Sequence, residues 1–268
     1  MRTLTSSDVE LPALDPTWWS WSSAHGGLLA AIMMRHARRQ TGTMTQRSLH
    51  ASFLAPVTTA PLRLSTEIQQ RNMSSVVTRS TLFHDGVPSV TATSLFADSH
   101  PGEDVLYRSP QAPVVPGVDD CPELDMSPEL IPVAQHLSIR MATDVRPLSG
   151  GDEPRLTAWI RLKNLDLGPA EAAVVLLDSM PPAIYGVLEK PIPVPSAEIS
   201  VRFTDQIADG GLDGWALIQV RTEQAGSSWT LESGSLWTPD GTLMAVSLQT
   251  RRIVANAGDL RRSAGFGG

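Results

Sequence analysis

Hydrophobic positions follow two different periods along this chain, and the change of period predicts the order of its elements. Residues 28–34 are seven consecutive apolar residues, and Arg35, Arg38 and Arg39 follow them. This pattern predicts a helix that is buried on nearly all sides in its first two turns and carries cations at the negative end of its dipole. The serines that precede the helix are its candidate N-caps.

From residue 48 onward the hydrophobic period is two, which predicts antiparallel strands rich in β-branched residues. These strands lie at 48–54, 62–68, 76–83 and 90–96. In the second half, an apolar helix is predicted to begin near Pro169 and to deliver Asp178 just before the helix-ending pair Pro181-Pro182. The strands predicted around it lie at 136–143, 156–162, 197–203, 215–222, 228–237 and 243–253.

Two landmarks recur in both halves at similar offsets. Phe53 and Phe203 each end a predicted strand, whereas Asp85-Gly86 and Asp240-Gly241 each join the last two strands of their half. Asp-Gly between two such runs is a strong hairpin signal. Because helix, strand and hairpin recur in the same order, the sequence indicates a tandem duplication.

Two segments depart from this pattern. Trp19 and Trp21 alternate with serines, which predicts a short strand burying one aromatic face, and core packing is favoured over a stacking platform. Prolines scattered among acidic residues predict a surface linker in the middle of the chain. The expected division is an N-terminal unit at 1–100, a Pro-rich linker at 101–135, a C-terminal unit at 136–256 and a flexible tail at 257–268.

Composition narrows the partners that the chain can take. The 268 residues carry a formal charge of -7 and have a pI near 5.3, which disfavours nucleic acid and anionic membranes and favours a small molecule. Cys121 is the single cysteine and lies among carboxylates, so we expect no disulfide and an unreactive surface thiol. With no signal-peptide pattern and no long apolar run, we expect a cytoplasmic protein without a membrane span.

Asp178 is the residue in the chain that most needs an explanation. A carboxylate at the edge of an apolar core costs several kcal/mol to bury without partners, on the order of magnitude known for unpaired charges. No Gly-x-Ser-x-Gly elbow is present, which disfavours a serine hydrolase. The six histidines show no His-Glu-x-x-His spacing, so no metal is expected.

Several segments, taken in order, resemble those of the double-hotdog acyl-CoA thioesterases of the type II, thioesterase-like superfamily. They are His25-Gly26-Gly27, residues 52–57, residues 178–182, residues 195–203 and residues 240–249. The resemblance implies an α+β fold with two hotdogs in tandem, each a long buried helix wrapped by a curled antiparallel β-sheet. It implies hydrolysis of acyl-CoA to a free fatty acid and CoA without a cofactor, in a monomer or a homodimer of double hotdogs.

The same resemblance implies a site in which Asp178, Ser196 and Gln249 hold and activate water. Ser196 stands where the family often has Thr, which keeps the hydroxyl and loses a methyl group. The family's hotdog hydratase relatives place a His five residues after the Asp, where this chain has Ala183. The alternative is a purely structural role, in which Asp178 only caps the turn around Pro181.

Two further groups have both a functional and a structural interpretation. His25, Gly26 and Gly27 are expected near the substrate, where N–H groups at a helix N-terminus can stabilise charge on a thioester oxygen. The glycines could equally serve close packing of helix and sheet. Arg251 and Arg252 could meet CoA phosphates or simply be solvated. The competing function is a non-catalytic hotdog protein that binds an acyl thioester or a protein partner.

Overall fold

The computed structural model describes residues 6–98, 110–163, 166–210, 212 and 214–254. Within them, the helices are α1 (Gly26–Arg38) and α2 (Pro169–Asp178). The strands of the first half are β1 (Ser6–Leu11), β2 (Trp19–Ser20), β3 (Ser23–Ala24), β4 (Thr45–Phe53), β5 (Leu62–Arg71), β6 (Ser75–His84) and β7 (Val87–Ala97). Those of the second half are β8 (Leu137–Met141), β9 (Arg155–Leu162), β10 (Ser196–Phe203), β11 (Ala216–Ala225), β12 (Trp229–Trp237) and β13 (Leu243–Arg252).

Eleven of these strands form one antiparallel sheet, and β2 and β3 form a separate small ribbon. The order across the large sheet is β1-β5-β6-β7-β4-β10-β13-β12-β11-β9-β8. The order β5-β6-β7-β4 in the first half is mirrored by β10-β13-β12-β11 in the second. The two halves meet where β4 pairs with β10, with Leu49 opposite Val201. We call this β4–β10 pairing the seam.

Both helices lie in the core, each against the strands of its own half, and they also pack on each other. Met33 and Ala30 of α1 and Leu176 and Leu177 of α2 are fully buried, because both helices are apolar on nearly every side. The N-terminal end of α1 meets the C-terminal end of α2, since Gly27 bonds to Asp178. The two helices therefore run antiparallel, and each half contributes one helix to a shared core.

The elements predicted from hydrophobic period are largely confirmed, because alternation and apolar runs reflect which side of each element is buried. The Asp85-Gly86 hairpin joins β6 to β7, with φ of 51° and 75° at its two residues. Asp240-Gly241 likewise lies between β12 and β13. Strand β1 was not predicted, because its short segment pairs at the sheet edge and lacks a strong apolar alternation.

Several local expectations from sequence were wrong. Trp21 does not belong to a buried strand face: it has φ of 65° and is 59% exposed, while Trp18 is buried and stacks on His136. The N-cap of α1 is His25 and not a serine.

Cys121 is the third correction, because it is 5% exposed and not a surface thiol. It lies in a cluster with Trp159, Trp237 and Leu243, so the end of the expected linker packs against the second half of the sheet. Burial, followed by the Asp120 charge, raises the pKa of the Cys121 thiol. No helix in the described part of the chain has the length and hydropathy needed to cross a bilayer.

Candidate active site

Asp178 is the last residue of α2, and its carboxylate lies at the first turn of α1. Its Oδ2 accepts a hydrogen bond of 2.7 Å from the backbone N–H of Gly27, and only 7% of the side chain is exposed. The C-terminal end of its own helix disfavours the negative charge, whereas the N-terminal end of α1 favours it. The long-range contact with α1 thus supplies the partner that a buried carboxylate requires. Among the described residues, no hydrogen bond reaches Oδ1.

His25 caps the helix that receives this carboxylate. Its Nδ1 accepts a hydrogen bond of 3.2 Å from Leu28 N–H, so the ring proton sits on Nε2. Nε2 lies 3.3 Å from the backbone oxygen of Asp178 and 3.7 Å from its Oδ2. Burial lowers the pKa of His25, the nearby Asp178 raises it, and the charge of Arg251 lowers it further. His25 therefore orients the Asp178 segment as a neutral imidazole.

Gly26 and Gly27 allow the close approach of the two helices. A Cβ on Gly27 would lie 2.8 Å from Asp178 Cβ and 3.0 Å from the oxygen of Val174. A Cβ on Gly26 would lie 2.8 Å from Phe53 Cζ and 3.2 Å from Asp178 Oδ2. The packing interpretation of these glycines is therefore supported directly. The Gly27 N–H does not point at an open site, because Asp178 already accepts its hydrogen bond.

Ser196 and Gln249 form the second part of the site. Ser196 opens β10, and its hydroxyl donates a hydrogen bond of 3.0 Å to Gln249 Oε1 on the neighbouring strand β13. Gln249 is 2% exposed, so its amide faces the interior and not a solvated strand face. The structure therefore brings these two residues together. Among the described hydrogen bonds, none joins either residue to Asp178.

Arg251 is buried in the same site, which corrects the expectation that it is solvated or meets CoA phosphates. It follows Gln249 by two residues on β13 and so faces the same side of the sheet, a placement that the strand period could have indicated. Its Nη1 donates to Ser196 Oγ at 2.9 Å, and its Nε donates to Glu232 Oε1 at 3.0 Å. Glu232, on β12, is 2% exposed and was not recognised from sequence. Arg252, by contrast, is exposed.

The candidate residues thus form two hydrogen-bonded groups: Asp178 with His25 and Gly27, and Ser196 with Gln249 and Arg251. No group of His, Cys, Asp or Glu side chains in the described ranges is arranged to hold a metal ion. The chemistry available here is a carboxylate base beside hydroxyl and amide hydrogen-bonding groups.

Comparison with protein families identifies the chain. The model of the acyl-CoA thioesterase N-terminal domain matches residues 15–97, and that of the acyl-CoA thioesterase C-terminal domain matches residues 118–253. The chain belongs to the acyl-CoA thioesterase family. The C-terminal match contains Asp178, Ser196 and Gln249, and the N-terminal match contains His25 and both glycines. No significant match to a curated protein was found by sequence.

Solved structures support the same fold for this acyl-CoA thioesterase family member. A conserved protein of unknown function with a hot dog fold from Alicyclobacillus acidocaldarius has a TM-score of 0.83 at 21% identity, covering 95% of this chain and 97% of its own. An acyl-CoA thioesterase II from Mycobacterium marinum has a TM-score of 0.73 at 19% identity, with 94% of each chain covered. The tesB protein of Mycobacterium avium subs. paratuberculosis has a TM-score of 0.72 at 17% identity, covering 92% of this chain and 93% of its own.

Proposed function

We propose that this protein hydrolyses acyl-CoA thioesters to a free fatty acid and CoA, with Asp178 as the general base. The observation that carries the proposal is the Asp178 carboxylate, buried at the N-terminal end of α1 with one oxygen held by Gly27 and the other free of described partners. A carboxylate fixed in this way can accept a proton from water. Membership of the acyl-CoA thioesterase family supplies the substrate class.

The proposed reaction needs no cofactor. Asp178 takes a proton from water as the water oxygen attacks the thioester carbonyl carbon. The C–S bond of the resulting tetrahedral intermediate then breaks, and the carboxyl of Asp178 returns its proton to the leaving thiolate of CoA. Ser196 and Gln249 hold the water or the carbonyl by hydrogen bonds, because a hydroxyl and an amide each offer donors and acceptors.

Negative charge that develops on the thioester oxygen needs N–H donors nearby. Gly27 and Leu28 already give their N–H groups to Asp178 and His25. We assign the donor role to Gly26 N–H, at the start of α1, and to the Gln249 side-chain amide. In this assignment His25 positions the Asp178 backbone and does not contact the substrate.

The proposed architecture is a double hotdog with one active site per chain, built between the halves. The mirrored strand order about the seam and the shared helix pair support it. Asp178, Ser196 and Gln249 come from the second half, while the glycine turn comes from the first. Under this proposal the second half supplies the reacting groups and the Gln249 donor, and the first half supplies the helix dipole and the backbone donors of α1.

The test is release of free thiol from acyl-CoA substrates of graded chain length. Asp178→Asn keeps an oxygen for Gly27 N–H and removes the base, so it should fold normally and lose about 100-fold or more in kcat, the scale of general-base catalysis. Asp144→Asn is the matched control, because Asp144 is exposed outside the site.

The outcomes separate hydrolysis from simple binding. Wild-type protein that releases no CoA above background, or an Asp178→Asn variant as fast as wild type, would show that the assignment is wrong. Tight acyl-CoA binding without release would instead support the non-catalytic alternative. An Asp144→Asn variant that retains full activity shows that the loss at position 178 is specific to that carboxylate.

A further inference from the structure

A buried ion pair lies behind the Ser196–Gln249 hydrogen bond. Arg251 Nε and Nη2 each lie 3.0 Å from Glu232 Oε1, and the two side chains are 7% and 2% exposed. Burying two charges costs several kcal/mol per ion, so such a pair commonly adds little to stability relative to apolar residues of the same size. Stability alone therefore does not explain why this ion pair lies beside the proposed active site.

The pair fixes the direction of the hydrogen bonds in the site. A guanidinium can only donate, so Arg251 Nη1 must give its proton to Ser196 Oγ. The single hydroxyl proton of Ser196 is then free to go to Gln249 Oε1, 3.0 Å away. With its oxygen occupied in this way, the Gln249 amide presents its NH2 group on the other side.

Glu232 also touches the segment that carries Asp178. Its Oε2 accepts a hydrogen bond from the backbone N–H of Ala183, the first residue of the 3-10 helix Ala183–Gly186, which follows Pro181-Pro182. The Glu232 carboxylate therefore contacts the chain just beyond Asp178 through Oε2. Through Oε1 it binds Arg251, which donates to Ser196. Glu232 thus accepts hydrogen bonds from both Ala183 N–H and Arg251, and Arg251 in turn donates to Ser196.

We propose that Glu232 and Arg251 are positioning residues for the thioesterase reaction: they set the polarity of the Ser196–Gln249 hydrogen bond so that the Gln249 amide donates toward the thioester. This inference rests on the proposed function. Neither residue touches the substrate. Without Arg251, the Ser196 hydroxyl is free to rotate and the Gln249 amide can flip, so the donor is present in the right place only part of the time.

The main variant is Glu232→Gln/Arg251→Met. It removes both charges together, which avoids leaving one charge unpaired, and it leaves an amide oxygen for Ala183 N–H. We expect a folded protein with kcat lowered about 10- to 100-fold and KM little changed, because a misplacement of about 1 Å can cost about 100-fold. The matched control is Glu171→Gln/Arg35→Met, which removes the 3.8 Å ion pair at the other end of α2 and should leave kcat unchanged.

A kinetic cycle with Ser196→Ala separates positioning from general destabilisation. If the pair acts through Ser196, the triple variant should be no slower than Ser196→Ala alone, because the same hydrogen bond is already lost. A purely structural effect would multiply with that of Ser196→Ala. Arg251→Lys keeps the charge of the ion pair and one donor, so its kcat should be higher than that of the double variant. In the Ser196→Ala background, Arg251→Lys should leave kcat unchanged.

Each outcome bears on a defined claim. A folded double variant with wild-type kcat, or multiplying effects in the cycle, overturns the positioning role while leaving the proposed function intact. If the double variant fails to fold, the Arg251→Lys cycle decides the same question in a protein that retains both charges. Wild-type protein that releases no CoA overturns the proposed function, and the inference with it.

Discussion

His25 shows how one residue can stabilise two elements at once. Its Nδ1 caps α1 through Leu28 N–H, and its Nε2 reaches the backbone oxygen of Asp178 at the end of α2. The bond from Leu28 N–H needs a neutral ring, because a protonated ring has no acceptor at Nδ1, whereas Nε2 donates in either state. The dominant effect of burial is accordingly to hold the pKa of His25 below its ordinary value of 6.5.

This lowered pKa predicts that the free energy of unfolding falls in acid, and that substituting His25 reduces this fall. Below about pH 6.5 the unfolded chain binds a proton at His25 that the folded protein excludes. The stabilisation present above that pH is therefore lost as the pH falls toward the lower pKa of His25 in the folded protein. The loss should approach about 1.4 kcal/mol per pH unit for this single group. His25→Asn keeps a capping oxygen for Leu28 and should lose less stability between about pH 8 and about pH 5.5.

The measurement is the free energy of unfolding in urea at the two pH values. His136 also has a pKa lowered by burial, but it is present in both proteins and cancels in the comparison. Equal losses of stability in the wild type and in His25→Asn would contradict the role given to His25.

At the scale of elements, the site depends on how closely α1 and α2 approach. Gly27 is the contact point, because its N–H bonds to the side chain of Asp178 and a Cβ there would lie only 3.0 Å from the oxygen of Val174. A residue without a side chain allows such close contact where two helices meet. Under the proposed function, the position of the Asp178 carboxylate therefore depends on packing between the helices as well as on the residues that would react.

Gly27→Ala tests that dependence. Alanine is intrinsically the better helix former by about 1 kcal/mol, but its Cβ would lie 2.8 Å from Asp178 Cβ and force the helices apart. We expect a net destabilisation of about 1–3 kcal/mol, typical of overpacking, and a kcat lowered about 100-fold through displacement of Asp178.

Thermal unfolding and CoA release together provide the measurement. Gly117→Ala is the matched control, since its Cβ would come no closer than 3.5 Å to Asp120 and its φ of -61° suits alanine. A Gly27→Ala variant that is more stable than wild type, and as active, would show that the helices do not depend on this contact.

The helices and strands were predictable from the sequence, because local patterns determine them. The contacts of individual residues were not predictable where the partner is distant in the sequence. The bounds of β10 and the placement of Asp178 at the end of α2 follow from apolar alternation and from Pro181-Pro182. The bond between Gly27 and Asp178 could not be read from spacing, because it spans 151 residues. Arg251 was misjudged for the same reason: its partner Glu232 lies on another strand.

At the scale of the whole molecule, the seam joins two similar halves into one sheet. Leu49 and Val201 are opposite each other there, and both are fully buried. Because the sheet is continuous through this pair and the two helices share a core, neither half can unfold without exposing apolar surface of the other. We therefore expect the chain to unfold as a single cooperative unit.

Leu49→Ala tests this coupling across the seam. Truncating a fully buried leucine should destabilise the protein by about 2–5 kcal/mol. Cys121, the single cysteine, is buried against strands of the second half, so its reaction with a thiol reagent reports opening there. If unfolding is cooperative, the substitution in the first half should speed labelling of Cys121 in the second.

Circular dichroism and labelling rates of Cys121 give the comparison. Leu231→Ala serves as the control, because Leu231 is 40% exposed and its truncation should change stability by less than about 0.5 kcal/mol. A Leu49→Ala variant that loses stability by circular dichroism while Cys121 is labelled at the wild-type rate would mean that the halves open independently.

The hydrogen bond between Gly27 and Asp178 also limits how early in synthesis the site can form. The two residues are separated by 151 positions, so a ribosome that adds about 5–20 residues per second makes the carboxylate about 8–30 s after the glycine. During that interval the segment of the first helix lacks the partner that binds its N-terminal end. Under the proposed function, we therefore expect activity only late in synthesis, when the second helix has emerged and docked on the first.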